Sequence, residues 1–254
     1  MTEVTTRATD VGGVFTVDFS RPPENRMDSQ LIGSLADALE VLDRNDQCRA
    51  VVLRSEGRHF CAGASLDPKA VAASPTNRHL YDEAVRIFAF RKPIVACVQG
   101  AAVGGGLGLA LAADFRVGAA SSRLTANFSM LGFHHGFGIS VTLPAVVGQQ
   151  KALYMLYTGH RLKGDEALKV GLLDRLVADE DLREEALRMA SEIAAAAPLA
   201  VTSIRATMRA GLAERVRKAM AHERSEQERL RQTADFREGL AAVAEHRIPA
   251  FEGR

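Results

Sequence analysis

The first part of the chain alternates between short apolar runs and longer segments with helical spacing. Residues Val14 to Phe19 alternate apolar and polar side chains, which is typical of a half-buried strand. From Ser29 to Leu42 the leucines recur at the three- and four-residue spacing of an amphipathic helix. The runs Ala50 to Leu53 and Ile94 to Val98 read as buried strands, and each leads into a loop rich in small residues.

The same alternation continues through the middle of the chain. Three glycines, Gly104 to Gly106, introduce an apolar run from Leu107 to Ala113, which predicts a buried helix. Phe115 to Ala119 then predicts another strand. Repeated strand, loop and helix units indicate the α/β class, in which loops at the strand ends are the expected place for chemistry.

The strand signals stop after about Ala195, and a helical stripe through Met208 continues into a highly charged stretch. We therefore expect an α/β core over residues 1–195 and a helical oligomerisation region over 196–254. Within that region, four apolar residues form a stripe that predicts self-association: Leu230, Phe236, Leu240 and Val243.

Composition and charge narrow the functional classes. With 32 Lys+Arg against 31 Asp+Glu, the net charge of +1 gives no field that would attract nucleic acid or an acidic membrane. We expect no membrane span, and the polar N-terminus lacks the apolar segment of a signal peptide. Cys48, Cys61 and Cys97 show neither disulfide nor zinc-site spacing. We expect a cytoplasmic protein without metal, nucleic-acid or membrane partners.

Two loops of small residues are the first candidates for chemistry. The segment from Gly100 to Gly108 fits neither dinucleotide nor P-loop spacing, but it precedes a helix whose first amides lack helical partners. Residues Cys61 to Ser65 form a second such loop after a strand. Amides from the two loops can converge on one oxygen atom, although tight packing explains such glycines equally well.

Two segments carry a family resemblance. His59-Phe-Cys-Ala-Gly-Ala-Ser-Leu66 and the run from Lys92 to Gly106 together resemble the crotonase, or enoyl-CoA hydratase/isomerase, superfamily. Three later segments resemble it in the same order: Tyr157 to Leu162, Glu166 to Leu173 and Glu245 to Arg254. The resemblance implies a repeated ββα spiral core with a C-terminal helical trimerisation region, and a homotrimer or homohexamer.

The resemblance also implies a ligand and an oxyanion hole. Members bind an acyl-CoA, with coenzyme A as part of the substrate and no separate cofactor, and hold the thioester carbonyl between two main-chain amides. By motif position these amides belong to Ala64 and Gly105. Such donors stabilise the enolate that forms from the thioester. The expected substrate-binding residues are Ala62, Ser65, Leu66, Gly104, Gly108, Phe128, Leu131 and Phe133.

The two glutamates of the family's hydratases are absent. Their positions hold Gly108 and Phe128, which cannot transfer a proton, so a hydratase or isomerase mechanism cannot simply be carried over. His134 and His135 lie in a stretch that borders the acyl pocket in the family, and they are our candidate acid and base, alongside a purely structural role. We expect an atypical lyase or isomerase of acyl-CoA metabolism, or alternatively an acyl-CoA-binding paralogue with little activity.

Several other residues with reactive or charged side chains also have a structural explanation. Cys61 is expected to be a packing residue, and Ser65 and Ser140 lack the nucleophile elbow of serine hydrolases. Four residues either reach the acyl group or form solvated faces: Asp67, Tyr81, Asp82 and Glu83. Possible contacts to coenzyme A phosphates, or else solvated groups, are the Arg21 to Arg26 segment, His246, Arg247 and Arg254.

Overall fold

The computed structural model describes residues 2–65 and 78–254, and it has two β-sheets surrounded by helices. The described strands are β1 Glu3–Ala8, β2 Val14–Ser20, β3 Ala50–Ser55, β4 Ile94–Val98, β5 Ala101–Val103, β6 Phe115–Ala119, β7 Arg123–Thr125, β8 Arg161–Lys163 and β9 Arg175–Val177. The described α-helices are α1 Ser29–Asp43, α2 Leu80–Ala89, α3 Gly105–Ala112, α4 Ile139–Val147, α5 Gln149–Thr158, α6 Gly164–Lys169, α7 Leu182–Ala194, α8 Pro198–Met208, α9 Leu212–Leu230 and α10 Ala234–Ala244. A 3-10 helix spans Asn127–Leu131.

The main sheet has the order β1-β2-β3-β4-β6-β9 and is parallel except for β1. Its central strands are buried on both faces, which explains their continuous apolar sequences. All the strands predicted from the pattern are confirmed. The polar strand β1 was not predicted, because it lies at the sheet edge with most of its side chains exposed and is held mainly by pairing with β2.

Helices cover both faces of this sheet. Val52 and Val95 point towards α7, whereas Val51 and Leu53 point towards the larger cluster that contains α1. The second sheet, β5-β7-β8, starts just after β4, and β5 leads directly into α3. Every residue of α3 is buried, so the α/β prediction and the predicted buried helix are both confirmed.

The C-terminal region is helical, as predicted, and it packs on the core of its own chain. Helix α9 contacts α2 and α4, and α10 contacts the 3-10 helix. Phe236 is 8% exposed and packs on Phe133, so this member of the predicted self-association stripe is covered within the chain. Val243 is 53% exposed. The division at residue 195 and the trimeric or hexameric state stay predictions.

The described residues contain neither a disulfide, nor a group of side chains suited to a metal ion, nor a single helix that could span a membrane. All three cysteines are free and buried. In the described ranges, no three His, Cys, Asp or Glu side chains are grouped so that they could hold a metal ion. No single described helix is long and apolar enough to cross a bilayer. Taken together, α7 and α8 have the length and composition of a membrane span, but the two helices are bent by 102° where they meet.

A close approach between two backbone segments can be tested by mutation. A Cβ atom on Gly106 would lie 2.2 Å from the carbonyl oxygen of Cys61, whereas one on Gly12 would meet nothing within 4 Å. We expect Gly106→Ala to lower the free energy of unfolding by about 2 kcal/mol or more, because the backbone must move. Gly12→Ala is the matched control, with a change within about 0.5 kcal/mol in urea denaturation. Equal stability of the two variants would contradict this packing.

Candidate active site

A cavity of about 720 Å³ opens between the two small-residue loops and the C-terminal helices. Its walls come from the Cys61–Ser65 loop, the start of α3, the 3-10 helix, the start of α2 and the end of α9. Both amides predicted for the oxyanion hole, those of Ala64 and Gly105, belong to residues that line it.

The first loop is fixed against β5 and α3. The amide of Cys61 donates to the carbonyl of Ala101 at 3.0 Å, and the amide of Val103 donates to the carbonyl of Cys61 at 3.0 Å. Gly106 lies so close to Cys61 that no side chain fits between them. The two small-residue loops are therefore in direct contact, as the oxyanion-hole hypothesis requires.

The orientation of the Ala64 amide follows from its neighbours. Met27 donates its amide to the carbonyl of Gly63 at 2.9 Å, and Ser65 donates its amide to the carbonyl of Met27 at 2.8 Å. Met27 and Ala64 thus form a parallel β-bridge, in which Met27 bonds to the two residues that flank Ala64. The N–H of Ala64 itself therefore points away from Met27. Among the described residues, the Ala64 N–H has no main-chain acceptor.

The Gly105 amide lies at the start of α3. Gly104 has φ +53°, a conformation that favours glycine, and its amide donates to the carbonyl of Thr125 at 2.9 Å. Gly105 is the first helical residue, so its N–H has no acceptor in the helix, and no described main-chain carbonyl accepts it. The positive end of the α3 dipole reinforces this donor.

Aromatic rings occupy the surroundings of positions 108 and 128, where the family resemblance predicts glutamates. A Cβ on Gly108 would lie 2.7 Å from Cβ of Phe137, whose side chain is fully buried. Gly108 itself is therefore not among the described residues that line the cavity, and Phe137 lines it instead. Phe128 lines the cavity as predicted, with its ring close to Gly104. Neither position presents a proton-transferring group.

The histidine pair lies behind the cavity wall. His134 and His135 stack with their ring centroids 4.1 Å apart, and neither is among the described lining residues. Nε2 of His135 lies 2.8 Å from Oγ of Ser140, which donates to the buried carboxylate of Glu223 at 2.5 Å. That carboxylate also accepts the amide of Gly138 at 2.9 Å, at the start of α4. Because neither His134 nor His135 lines the cavity, the two histidines have no direct route to a substrate bound there. Their acid–base role stays a prediction.

Burial keeps His135 neutral at physiological pH. Burial, together with the neighbouring imidazoles of His134 and His222, lowers the pKa of His135 to about 4. A base with such a pKa is weak at pH 7. The sequence could not show this, because His222 and the helix that carries it come from a distant part of the chain.

The cavity instead presents two hydrogen-bond donors from α2. Nδ1 of His79 accepts the amide of Tyr81 at 3.1 Å, so the neutral ring carries its proton on Nε2. Burial, followed by the charge of Arg224, lowers the pKa of His79. The Tyr81 hydroxyl donates to Oε1 of Gln227 at 2.8 Å, and burial raises its pKa. Both residues line the cavity as neutral groups.

The remaining residues predicted from the sequence either line the cavity, lie away from it or fall outside the described residues. Five predicted binding residues line the cavity: Ala62, Ser65, Gly104, Leu131 and Phe133. Leu66 and Asp67 lie outside the described residues. Asp82 is exposed and Glu83 is buried beside Arg86, so neither lines the cavity, whereas Tyr81 does. Burial raises the pKa of the Cys61 thiol to about 12, which fits its expected packing role.

Arginines gather at the end of the cavity formed by β5, β7 and β8. Arg26, Arg58, Arg123 and Arg161 line this end. Among the other predicted phosphate contacts, Arg21 pairs with Asp28, Arg247 with Glu238 and Glu245, and Arg254 with Glu252.

His79 lines the cavity but was not predicted from the sequence, because no motif surrounds it. Its position as the N-cap of α2 brings it to the cavity.

The pKa of His135 makes stability depend on pH. The unfolded chain binds a proton at this histidine near pH 6.5, whereas the folded protein does so only near pH 4. Stability should therefore fall as the pH is lowered through this window, with a slope of at most about 1.4 kcal/mol per pH unit from this group. We expect His135→Gln to show a weaker decrease in urea unfolding between pH 7 and 5. An imidazole titration near pH 6.5, assigned to His135 by NMR, would contradict this.

Comparisons with known proteins identify the family and the fold of this chain. A family model described as enoyl-CoA hydratase/isomerase matches residues 9–254. The 1,2-epoxyphenylacetyl-CoA isomerase of Escherichia coli is 30% identical, over 95% of this chain and 96% of that protein. The mouse enoyl-CoA hydratase domain-containing protein 2 is 32% identical, over 95% and 85%. The crystal structure of an enoyl-CoA hydratase/isomerase from Pseudoalteromonas atlantica is 30% identical, covers 98% of this chain and 99% of that one, and has a TM-score of 0.88, which confirms the predicted crotonase-like fold. The chain belongs to the enoyl-CoA hydratase/isomerase family.

Proposed function

We propose that this protein binds an acyl-CoA thioester and stabilises its enolate between the amides of Ala64 and Gly105, without the two glutamates of a hydratase. One observation carries the proposal. Two N–H groups from separate loops border the same cavity, and no described main-chain carbonyl accepts either of them. An oxygen that gains negative charge supplies the acceptor that both donors lack.

The stabilisation acts on the charged state. A donor of this kind is typically worth about 10²–10³ in rate, or roughly 3–4 kcal/mol, because it is already oriented before charge develops. The dipole of α3 adds to the contribution of Gly105. Since the neutral carbonyl gains less from these donors than the enolate does, the arrangement favours reaction over simple binding.

Proton transfer then falls to neutral donors. The cavity-lining carboxylates are engaged elsewhere, Asp28 with Arg21 at 2.6 Å and Glu24 with Arg26 at 2.9 Å. Nε2–H of His79 is the group that can give a proton or a hydrogen bond to an acyl group, whereas the hydroxyl proton of Tyr81 is donated to Gln227. In a lyase reaction, cleavage of a bond to the α-carbon leaves its electron pair in the enolate, and Nε2–H of His79 can then protonate that carbon without a carboxylic acid.

The coenzyme moiety has a matching charged end. Arg58, Arg123 and Arg161 line the cavity on the side of β5 and β7, where they can bind phosphates as guanidinium groups do elsewhere. The cavity thus offers cations for the coenzyme and two amides for the thioester carbonyl.

A second candidate function is acyl-CoA binding with little turnover. Phe137 and Phe128 occupy or cover the places of both family acids, and this observation favours it. Under this alternative, the two amides would bind the thioester oxygen without a following proton transfer.

A substitution at Gly105 tests the oxyanion hole. Gly105→Pro removes the N–H, and proline is well tolerated at the first position of a helix. Gly105→Ala keeps the N–H and is the matched control, because in both variants a Cβ meets the flexible end of Met27, with Sδ at 2.8 Å. Turnover of a panel including crotonyl-CoA, and deuterium incorporation beside the thioester in heavy water, should fall about 10²–10³-fold further in the proline variant than in the alanine variant.

The outcomes separate the two candidate functions. Equal losses in the proline and alanine variants would argue against the Gly105 amide as a donor to the substrate. Binding of acyl-CoA by the unmodified protein, with neither exchange nor product from any thioester, would favour the binding paralogue. We expect exchange or turnover with at least one acyl-CoA.

A further inference from the structure

Two arginines line the cavity besides those at the coenzyme end, Arg78 before α2 and Arg231 after α9. Arg231, the residue that follows α9, lines the cavity together with Gln227 and Tyr81. Its guanidinium carbon lies 5.0 Å from the ring centroid of Phe133 and 5.9 Å from that of Phe236. The thioester site of Ala64 and Gly105 therefore has cations at both ends.

Arg231 differs from its neighbours on the same helix. Arg217, Arg224 and Arg229 each pair with a glutamate three or four residues away. No carboxylate in residues 2–65 or 78–254 pairs with Arg231, and its guanidinium instead lies against the two aromatic rings. Aromatic faces hold the planar guanidinium by cation–π contact and leave its N–H groups available.

The surroundings of Arg231 suit an anionic group rather than a second apolar chain end. The positive charge of Arg231 reaches both His79 and Tyr81: it adds to the burial and the Arg224 charge that lower the pKa of His79, and it opposes the burial that raises the pKa of Tyr81. His79 also offers its Nε2–H at this end of the cavity. A carboxylate here would meet a guanidinium and nearby donors, whereas a methyl group would gain nothing from them.

We propose that the preferred acyl group carries a carboxylate at its far end, bound by the guanidinium of Arg231. This inference rests on the proposed function, because it takes the thioester carbonyl to lie between Ala64 and Gly105. Phe133 supports the guanidinium and also lines the path of the acyl chain. The substrate class is therefore an ω-carboxyacyl-CoA.

Matched pairs of thioesters test the inference. Adipyl-CoA and hexanoyl-CoA have the same chain length and differ in the terminal carboxylate, as do suberyl-CoA and octanoyl-CoA. By calorimetric titration, the unmodified protein should bind at least one dicarboxylic thioester about 10- to 100-fold more tightly than its partner. Arg231→Gln should abolish that preference and leave the affinity for the monocarboxylic partner unchanged within about twofold.

Two further variants separate charge recognition from packing. Arg229→Gln removes an arginine of the same helix that pairs with Glu226 and does not line the cavity, and it should keep the preference. Arg231→Lys keeps the charge without the planar fork and should retain part of the preference. Equal weakening of both members of a pair in Arg231→Gln would instead place a coenzyme phosphate at Arg231 and overturn the inference.

The remaining outcomes are also decisive. If the unmodified protein binds hexanoyl-CoA or octanoyl-CoA and shows no preference for the carboxylate, the inference fails while the proposed function stands. If no acyl-CoA of the panel binds, both fail.

Discussion

The close approach of Gly106 to the carbonyl of Cys61 is the constraint on which the site depends. The loop after β3 and the first turn of α3 come from segments some forty residues apart, and they meet backbone to backbone because no side chain intervenes. That contact sets the Ala64 and Gly105 amides on one cavity. The position of each donor is thus fixed by packing of the main chain, which is more rigid than any side chain would be.

Around these two amides, the cavity presents aromatic rings and neutral polar groups. Phe137 takes the space beside Gly108, and the ring of Phe128 lies close to Gly104. His79 and Tyr81 remain as neutral groups, because burial and the charge of Arg224 lower the pKa of His79, and burial and the charge of Glu223 raise the pKa of Tyr81. Under the proposed function, this site stabilises negative charge on oxygen and protonates carbon from a neutral donor, whereas a hydratase activates water with carboxylates.

The C-terminal helices take part in this site within their own chain. Helix α9 supplies Gln227 and its cap Arg231 to the cavity, while Glu223 of the same helix binds the first amides of α4. A helix whose charged sequence predicts an oligomerisation element therefore also forms one wall of the cavity. The arginines at the two ends of the cavity suit a substrate that is anionic at both ends.

The sequence by itself determined the fold class, the order of the main strands and helices, and the two small-residue loops that line the cavity. Hydrophobic periodicity and small-residue loops are local properties, so they can be read without knowing which segments meet. It also has glycine and phenylalanine at 108 and 128, the two positions where the family resemblance predicts acids. Only the tertiary structure decided what surrounds those positions: Phe137 beside Gly108, His79 on the cavity, and His134 and His135 behind its wall. The direction of a side chain depends on packing between distant segments, such as Glu223 against Ser140, and no local pattern encodes it.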